Sequence, residues 1–174
     1  MSIVEFDPPD RFVVGTVGEP GDRTFFIQAS DQHRRVQVSI EKVHAKVLAE
    51  RIGAMLDQVA QAEAGIAAAV AEIDNAPLDT PVEEDYRVLA LSLAWDDERH
   101  VVVIECHDHD PDELDADDAP GAHTLRVVLR PAQARAFAQR SETVVQAGRP
   151  ACPFCGGPLD PTGHICPRAN GYKR

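Results

Sequence analysis

Two stretches of the chain repeat one order of secondary structure, three short strands followed by a helix, and this repetition limits the folds that the sequence can adopt. In the first stretch, runs of β-branched and aromatic residues are separated by the turn compositions EPGD and DQH. The runs are RFVVGTVG, RTFFIQAS and RRVQVSI. From Glu41 onward, apolar residues recur at spacings of three and four, which predicts a helix. The residues with this spacing are Val43, Val47, Leu48, Ile52, Met55, Leu56 and Val59.

The same order returns in the second half of the chain. YRVLALSLAW and HVVVIECH predict two strands around the turn DDER, and TLRVVLR predicts a third strand after an acidic loop. Pro131 then opens a predicted helix that Gly148 can end, because proline is favoured at the first helical position and glycine just past the last. An offset of 89 residues places Ala45 over Ala134, which suggests an internal repeat.

The sequence therefore predicts an α+β fold of two tandem units, each with an antiparallel three-stranded sheet and one long helix. The two sheets would pair about a pseudo-twofold axis. The predicted parts are a first unit at 1–74, an acidic and proline-containing linker at 75–85, a second unit at 86–149 with an acidic loop at 108–120, and a zinc-ribbon-like tail at 150–174.

The strongest chemical signal lies in the tail, ACPFCGGPLDPTGHICPRANGYKR. Cys152 and Cys155 form a CxxC pair, and the Pro, Gly and Asp content after it is typical of a hairpin that returns His164 and Cys166 to that pair. Three thiolates and one imidazole would complete a tetrahedral structural Zn²⁺ site without an open position for substrate. Metal binding, worth on the order of 10 kcal/mol, could order so short a segment.

Two other interpretations of the tail remain open. CPFC also resembles a glutaredoxin-like dithiol, but Pro158, Pro161 and Pro167 would interrupt the helix that activates such a thiol. The tail could instead carry reduced thiols without metal. The HxC spacing is less usual than a second CxxC, so His164 could point outward and leave the fourth zinc position to another group.

A second cluster of possible ligands, ECHDHD, ends the fifth predicted strand. Strand geometry would place Glu105, His107 and His109 on one face and Cys106, Asp108 and Asp110 on the other. Two histidines and a carboxylate could hold a catalytic metal with open positions, as in a metal-dependent hydrolase. The competing interpretation is a solvated, acid-rich loop tip.

Charge and hydropathy exclude several classes of protein. The formal net charge of −12 argues against binding along nucleic acid irrespective of sequence, although residues 121–174 are locally basic. No apolar run approaches the ~20 residues that span a bilayer. The first residues, MSIVEFDPPDRF, lack the basic region of a signal peptide, so a cytoplasmic location is expected.

Two specific stretches, CPFCGGPLDPTGHICPRANGY and FVVGTVGEPGDRTFFIQA, resemble a family of actinobacterial repeat proteins with a domain of unknown function. The resemblance covers essentially the whole chain. It implies a cytoplasmic α+β protein with a zinc-ribbon tail, often encoded near a phosphoglycerate-mutase-like phosphatase and a kinase-like protein. It assigns no reaction and no catalytic residue.

These observations lead to one main functional hypothesis and two alternatives. The main hypothesis is a non-catalytic zinc-binding module that recognises a protein partner, with the tail ordering a basic edge. That edge contains Arg149, Arg168, Lys173 and Arg174. One alternative is single-stranded nucleic-acid binding, because repeats of strands followed by a helix resemble the layout of Pur-type and Whirly-type binders. The aromatics expected in such a site fall mostly in apolar strand runs, namely Phe12, Phe25, Phe26, Tyr86 and Trp95. The other alternative is the hydrolase using His107 and His109.

Overall fold

A computed structural model describes residues 2–19, 21–62, 73–113 and 121–147 of the chain. The predicted zinc ligands and most of the acidic loop lie outside these residues. The strands are β1 (Ser2–Phe6), β2 (Arg11–Val17), β3 (Thr24–Ser30), β4 (Arg35–Ile40), β5 (Tyr86–Arg87), β6 (Ala90–Asp96), β7 (Val101–His107) and β8 (His123–Leu129). The helices are α1 (Lys42–Ala62) and α2 (Pro131–Gln146). No helix among the described residues is long and apolar enough to cross a membrane.

The strands form two four-stranded sheets, and the predicted α+β class is confirmed. The first sheet has the order β2-β3-β4-β5 and the second the order β1-β8-β7-β6. Within each sheet three consecutive strands are antiparallel, while the fourth is parallel and comes from the other half of the chain. Each sheet is therefore completed by a strand from the other half of the chain: β5 in the first sheet and β1 in the second.

The exchange of strands differs from the predicted three strands per unit. The stretch YRVLALSLAW, predicted as one strand, is divided between the sheets: the N–H of Val88 donates to the carbonyl of Ser39 in the first sheet at 2.9 Å. The N–H of the next residue, Leu89, donates to the carbonyl of His107 in the second sheet at 2.8 Å. The first strand, SIVEF, was not predicted either, and it runs parallel to β8 with Phe6 opposite Val127.

The core lies between the inner faces of the two sheets and the two helices. Helix α1 buries Ala45, Leu48, Ala49, Ile52 and Leu56, and three of these, Leu48, Ile52 and Leu56, belong to the seven residues predicted from the apolar spacing. Val43 and Val47 share that spacing but are 55% and 36% exposed. Helix α2 begins at Pro131, as predicted, and its Phe137 stacks on Phe12 of β2 with ring centroids 4.4 Å apart.

Residues 73–85, which include the predicted linker, form an ordered strap across the outer face of the first sheet. The side-chain amide of Gln28 donates to the carbonyl of Asp79 and accepts from its N–H, both at 2.9 Å. The backbone N–H of Gln37 donates to the carboxylate of Asp85 at 2.7 Å. Leu78 lies directly over Gly15, where a Cβ atom would come within 2.5 Å of its side chain. The strap is thus part of the folded body.

Arg140 joins this strap to helix α2 and to the first sheet. Its Nε donates to the carbonyl of Val14 at 2.7 Å, and its Nη1 donates to the carbonyls of Asp74 and Ala76 at 2.7 and 2.6 Å. The side chain is only 9% exposed. Buried backbone carbonyls need such partners, so one guanidinium satisfies three carbonyls in two separate segments of the chain, β2 and the strap.

Candidate functional site

The end of β7 and the start of β8 bring together the histidine cluster, which consists of His107, Asp108, His109 and His123. β7 and β8 are antiparallel neighbours, so the residues that flank the acidic loop on either side meet at its base. The Asp108 carboxylate accepts hydrogen bonds from the backbone N–H of His123 at 2.8 Å and from its Nδ1 at 2.7 Å. His109 Nδ1 lies 2.9 Å from the same carboxylate.

These contacts decide the charge state of Asp108. Burial opposes ionisation of the carboxyl group, but hydrogen bonds from His109 and His123 outweigh it and lower its pKa to about 2. Asp108 is therefore an anion at neutral pH. An ionised carboxylate can only accept a hydrogen bond, so Nδ1 of His123 is the donor in this contact and Nε2 is left to meet a ligand.

The Asp108→Asn variant should lower the free energy of unfolding at pH 7 by about 2 kcal/mol, which corresponds to a pKa that falls from 3.8 to about 2 on folding. Because the folded pKa is depressed, the stabilisation is present above the unfolded value and is lost as the pH falls through the folded value. Urea unfolding curves for wild type and variant should therefore begin to approach each other below about pH 4 and should coincide only near pH 2.

A matched control for this experiment is Asp57→Asn, since Asp57 is exposed and pairs with Arg135 at 3.0 Å. An exposed pair contributes less than about 1 kcal/mol, so this variant should stay close to wild type at every pH. A difference between wild type and Asp108→Asn that stayed constant from pH 7 to pH 2 would contradict the assignment of the charge.

The face predicted for Glu105, His107 and His109 is present, although its chemistry differs from a metal site. Glu105 lies 3.5 Å from His107 Nε2, and the rings of His107 and His109 meet edge to face at 5.3 Å. Both nitrogens of His107 already face hydroxyl groups, Thr124 at 2.9 Å and Ser92 at 3.3 Å. Burial also lowers the pKa of His107, so the ring is neutral at pH 7.

Within the residues that the structure describes, no group of three His, Cys, Asp or Glu side chains is arranged to hold a metal ion. Cys106 points into the core, where burial raises the pKa of its thiol to about 12. The geometry thus gives no support to a hydrolase that uses His107 and His109 as metal ligands. The predicted zinc ligands Cys152, Cys155, His164 and Cys166 lie outside the described residues.

A cleft of about 230 Å³ opens beside the histidine cluster, at the seam between the two sheets. Its lining residues are Ser2 and Val4 of β1, Arg35 and Val36 of β4, Asp85 and Tyr86, and His123 and Thr124 of β8. The ring of Tyr86 stacks on His123 at 5.5 Å, and its hydroxyl donates to the carbonyl of Cys106 at 2.7 Å. Burial raises the pKa of Tyr86, so the hydroxyl keeps its proton and the ring is held in place.

Sequence patterns single out neither His123 nor Arg35. The available signal for His123 was its place at the far end of the acidic loop, because a hairpin brings both ends of its loop together. Arg35 joins the cleft only because β5 from the second half pairs with β4, a long-range contact that the repeat pattern alone does not contain.

A second concave surface, the α1–β6 groove, has a volume of about 390 Å³. It lies between helix α1 and the edge strand of the second sheet. The apolar side chains that line it are Val47, Leu48, Ala54, Met55, Leu91 and Leu93, and the polar ones are Arg51, Gln58 and Ser92. Leu89, at the start of this edge, is 62% exposed.

The predicted burial of the aromatic residues bears on nucleic-acid binding. Phe12, Phe25 and Phe26 are buried, as predicted, and Trp95 packs partly against the core. Proteins that bind single-stranded nucleic acid stack the bases on exposed aromatic rings. The three buried phenylalanines cannot provide such a platform.

Comparison with known proteins identifies a family without assigning an activity. No curated protein and no solved structure matches the chain significantly. Residues 4–166 match DUF3090, described as a protein of unknown function, and this range ends at the last of the four predicted zinc ligands. A match over so much of the sequence shows that the chain belongs to the DUF3090 family.

Proposed function

We propose that the protein is a non-catalytic, zinc-binding module that recognises an extended segment of a partner protein in the α1–β6 groove. The observation that carries this proposal is the groove itself, in which an apolar helix face lies beside a strand at the edge of a sheet. Exposed apolar surface bordered by polar groups is typical of sites for protein partners.

The edge strand supports an extended partner rather than a helical one. Among the described strands, β6 pairs with β7 on one side only. Its remaining backbone N–H and C=O groups could hydrogen-bond to an added strand, which is a common way for sheets to bind peptides. Because Leu91 and Leu93 face the core side of β6, alternate side chains of an added strand would enter the groove toward Val47 and Met55.

Charge supports a partner with basic residues beside its apolar segment. The turn that follows β6 carries Asp97 and Glu98, both exposed, and the chain as a whole has a net charge of −12. Complementary charge mainly accelerates association and selects among partners, while the apolar contacts in the groove supply affinity. The partner expected here is thus an apolar strand flanked by lysine or arginine.

The tail would contribute a second contact surface. Zinc held by Cys152, Cys155, His164 and Cys166 would order the basic residues Arg168, Lys173 and Arg174 next to an otherwise acidic protein. The match to the family extends through all four cysteine and histidine positions, which supports treating the tail as part of the family's domain.

The groove can be tested by adding charge to its helical wall. A Val47→Glu, Ala54→Glu double variant changes two exposed residues that line the groove, so it should fold normally and lose at least about tenfold in the amount of each partner captured from a lysate of cells that naturally express the chain. The matched control is Val17→Glu, an exposed valine on β2 of the other sheet, which should capture partners as the wild type does.

Quantitative mass spectrometry of the captured proteins provides the measurement, with circular dichroism as a check on folding. Deletion of residues 150–174 in a separate variant reports on the tail. If the double variant retained the same proteins in the same amounts as wild type, the groove would not be the recognition surface and the proposed function would fail.

A further inference from the structure

The cleft beside the histidine cluster carries a separate inference, because two opposite charges line it without pairing with each other. Arg35 and Asp85 both face the cleft, yet no ion pair joins them in the described part of the chain. Within the same residues, the guanidinium of Arg35 makes one long hydrogen bond, from Nη2 to the carbonyl of Pro81 at 3.4 Å. Most of its five N–H donors are therefore available to a ligand.

The carboxylate of Asp85 also has hydrogen-bonding capacity left for a ligand. One carboxylate oxygen, Oδ2, accepts the backbone N–H of Gln37 at 2.7 Å, which fixes the side chain at the start of β5. A carboxylate has about four lone-pair positions, so Oδ1 can accept further hydrogen bonds. A guanidinium binds a carboxylate well, and a carboxylate binds an ammonium group well.

The remaining walls are rigid and partly apolar. Val4 and Val36 supply aliphatic surface, and the ring of Tyr86 is held by its hydrogen bond to the Cys106 carbonyl. His123 is 48% exposed and is oriented by Asp108, so that Nε2 can meet a polar group of the ligand. Because the rings of Tyr86 and His123 are held by their neighbours, this wall of the cleft is organised before a ligand arrives.

From these contacts we propose that the cleft binds a small zwitterion of the α-amino-acid class with an aliphatic side chain. Arg35 would bind the carboxylate of the ligand, Asp85 would bind its ammonium group, and the side chain would lie against Val4, Val36 and Tyr86. The cleft volume of about 230 Å³ is smaller than the roughly 300–1,000 Å³ of pockets for drug-sized ligands, which agrees with a ligand of this size. This site is distinct from the α1–β6 groove.

Titration of the full chain with L-leucine tests the proposal, with two probes that each lack one charge as controls. These probes are 4-methylpentanoate, which has no ammonium group, and isopentylamine, which has no carboxylate. Leucine should cause saturable shifts in the amide NMR signals of Tyr86, His123 and Thr124 below about 10 mM, and each one-charge probe should bind at least about tenfold more weakly.

Variants identify the two charged partners. Arg35→Gln and Asp85→Asn should each weaken leucine binding at least about tenfold. The matched control Arg126→Gln alters an exposed arginine of β8 that pairs with Glu5 at 3.7 Å, and it should bind leucine as the wild type does.

Absence of saturable shifts up to about 10 mM leucine would overturn the proposal. Equal binding of leucine and either one-charge probe to the wild-type protein would also overturn it, because the site would then recognise one charge and not a zwitterion. The comparison of probes needs no variant, so it remains decisive even if Asp85→Asn disturbs β5.

Discussion

Replacing Arg140 with methionine should lower the free energy of unfolding by about 3 kcal/mol, the largest effect we expect from a single substitution in the folded body. Methionine is shorter than arginine but keeps much of the apolar contact made by the aliphatic part of the arginine side chain. It cannot donate to the carbonyls of Val14, Asp74 and Ala76, which would lose a charged donor in a buried setting. The loss is measured by urea denaturation at pH 7.

Helix α2 offers a matched control for this substitution. Arg135 lies on the same helix and forms a salt bridge with the exposed Asp57 at 3.0 Å. Since such surface pairs contribute little, Arg135→Met should change the free energy of unfolding by less than about 1 kcal/mol. Similar losses for the two variants would show that the contacts of Arg140 with the strap do not determine stability.

Purified protein should carry about one equivalent of zinc, and a Cys152→Ser, Cys155→Ser double variant should carry less than about a tenth of an equivalent. Removing two of four ligands leaves a divalent ion with too few donors to compete with water. Elemental analysis after purification without chelators measures both values. Because a structural site orders its own segment, loss of metal should also increase proteolysis of residues 150–174.

Cys106, the one cysteine of the chain outside the predicted zinc site, supplies the control for the zinc experiment. Cys106 is buried in the core, and a thiol whose pKa is raised to about 12 is a poor metal ligand at neutral pH. Cys106→Ala should therefore keep the full zinc content. Wild-type protein with less than about a tenth of an equivalent of zinc would exclude the proposed metal site.

Local sequence patterns predicted most elements of the fold because those elements follow from neighbouring residues. The β-branched runs became β2, β3 and β4, and Pro131 began α2 as expected. The exchange of β1 and β5 could not be predicted in this way, since it depends on pairings between residues such as Ser2 and His123 that lie far apart in sequence. A two-residue strand such as Tyr86–Arg87 also carries almost no pattern of its own.

The candidate site shows the same division between local and long-range information. Alternation along β7 placed Glu105 and His107 on one face, as the structure does. Spacing alone could not show that the ring nitrogens of His107 would face Thr124 and Ser92, because those hydroxyls come from the neighbouring strands. Helix periodicity likewise did not separate buried Leu48 from exposed Val43, since that difference depends on what packs against each face.

The reciprocal placement of β1 and β5 has a consequence for how the protein folds during synthesis. Of the eight strands in the described residues, β1 leaves the ribosome first, but its partner β8 is the last to be made. Likewise, the β4 edge of the first sheet stays uncovered until β5, Tyr86–Arg87, has been synthesised. Neither half can reach its final structure alone, so both halves should mature in one cooperative step, and a nascent chain shorter than about 130 residues would expose an unsatisfied sheet edge to chaperones.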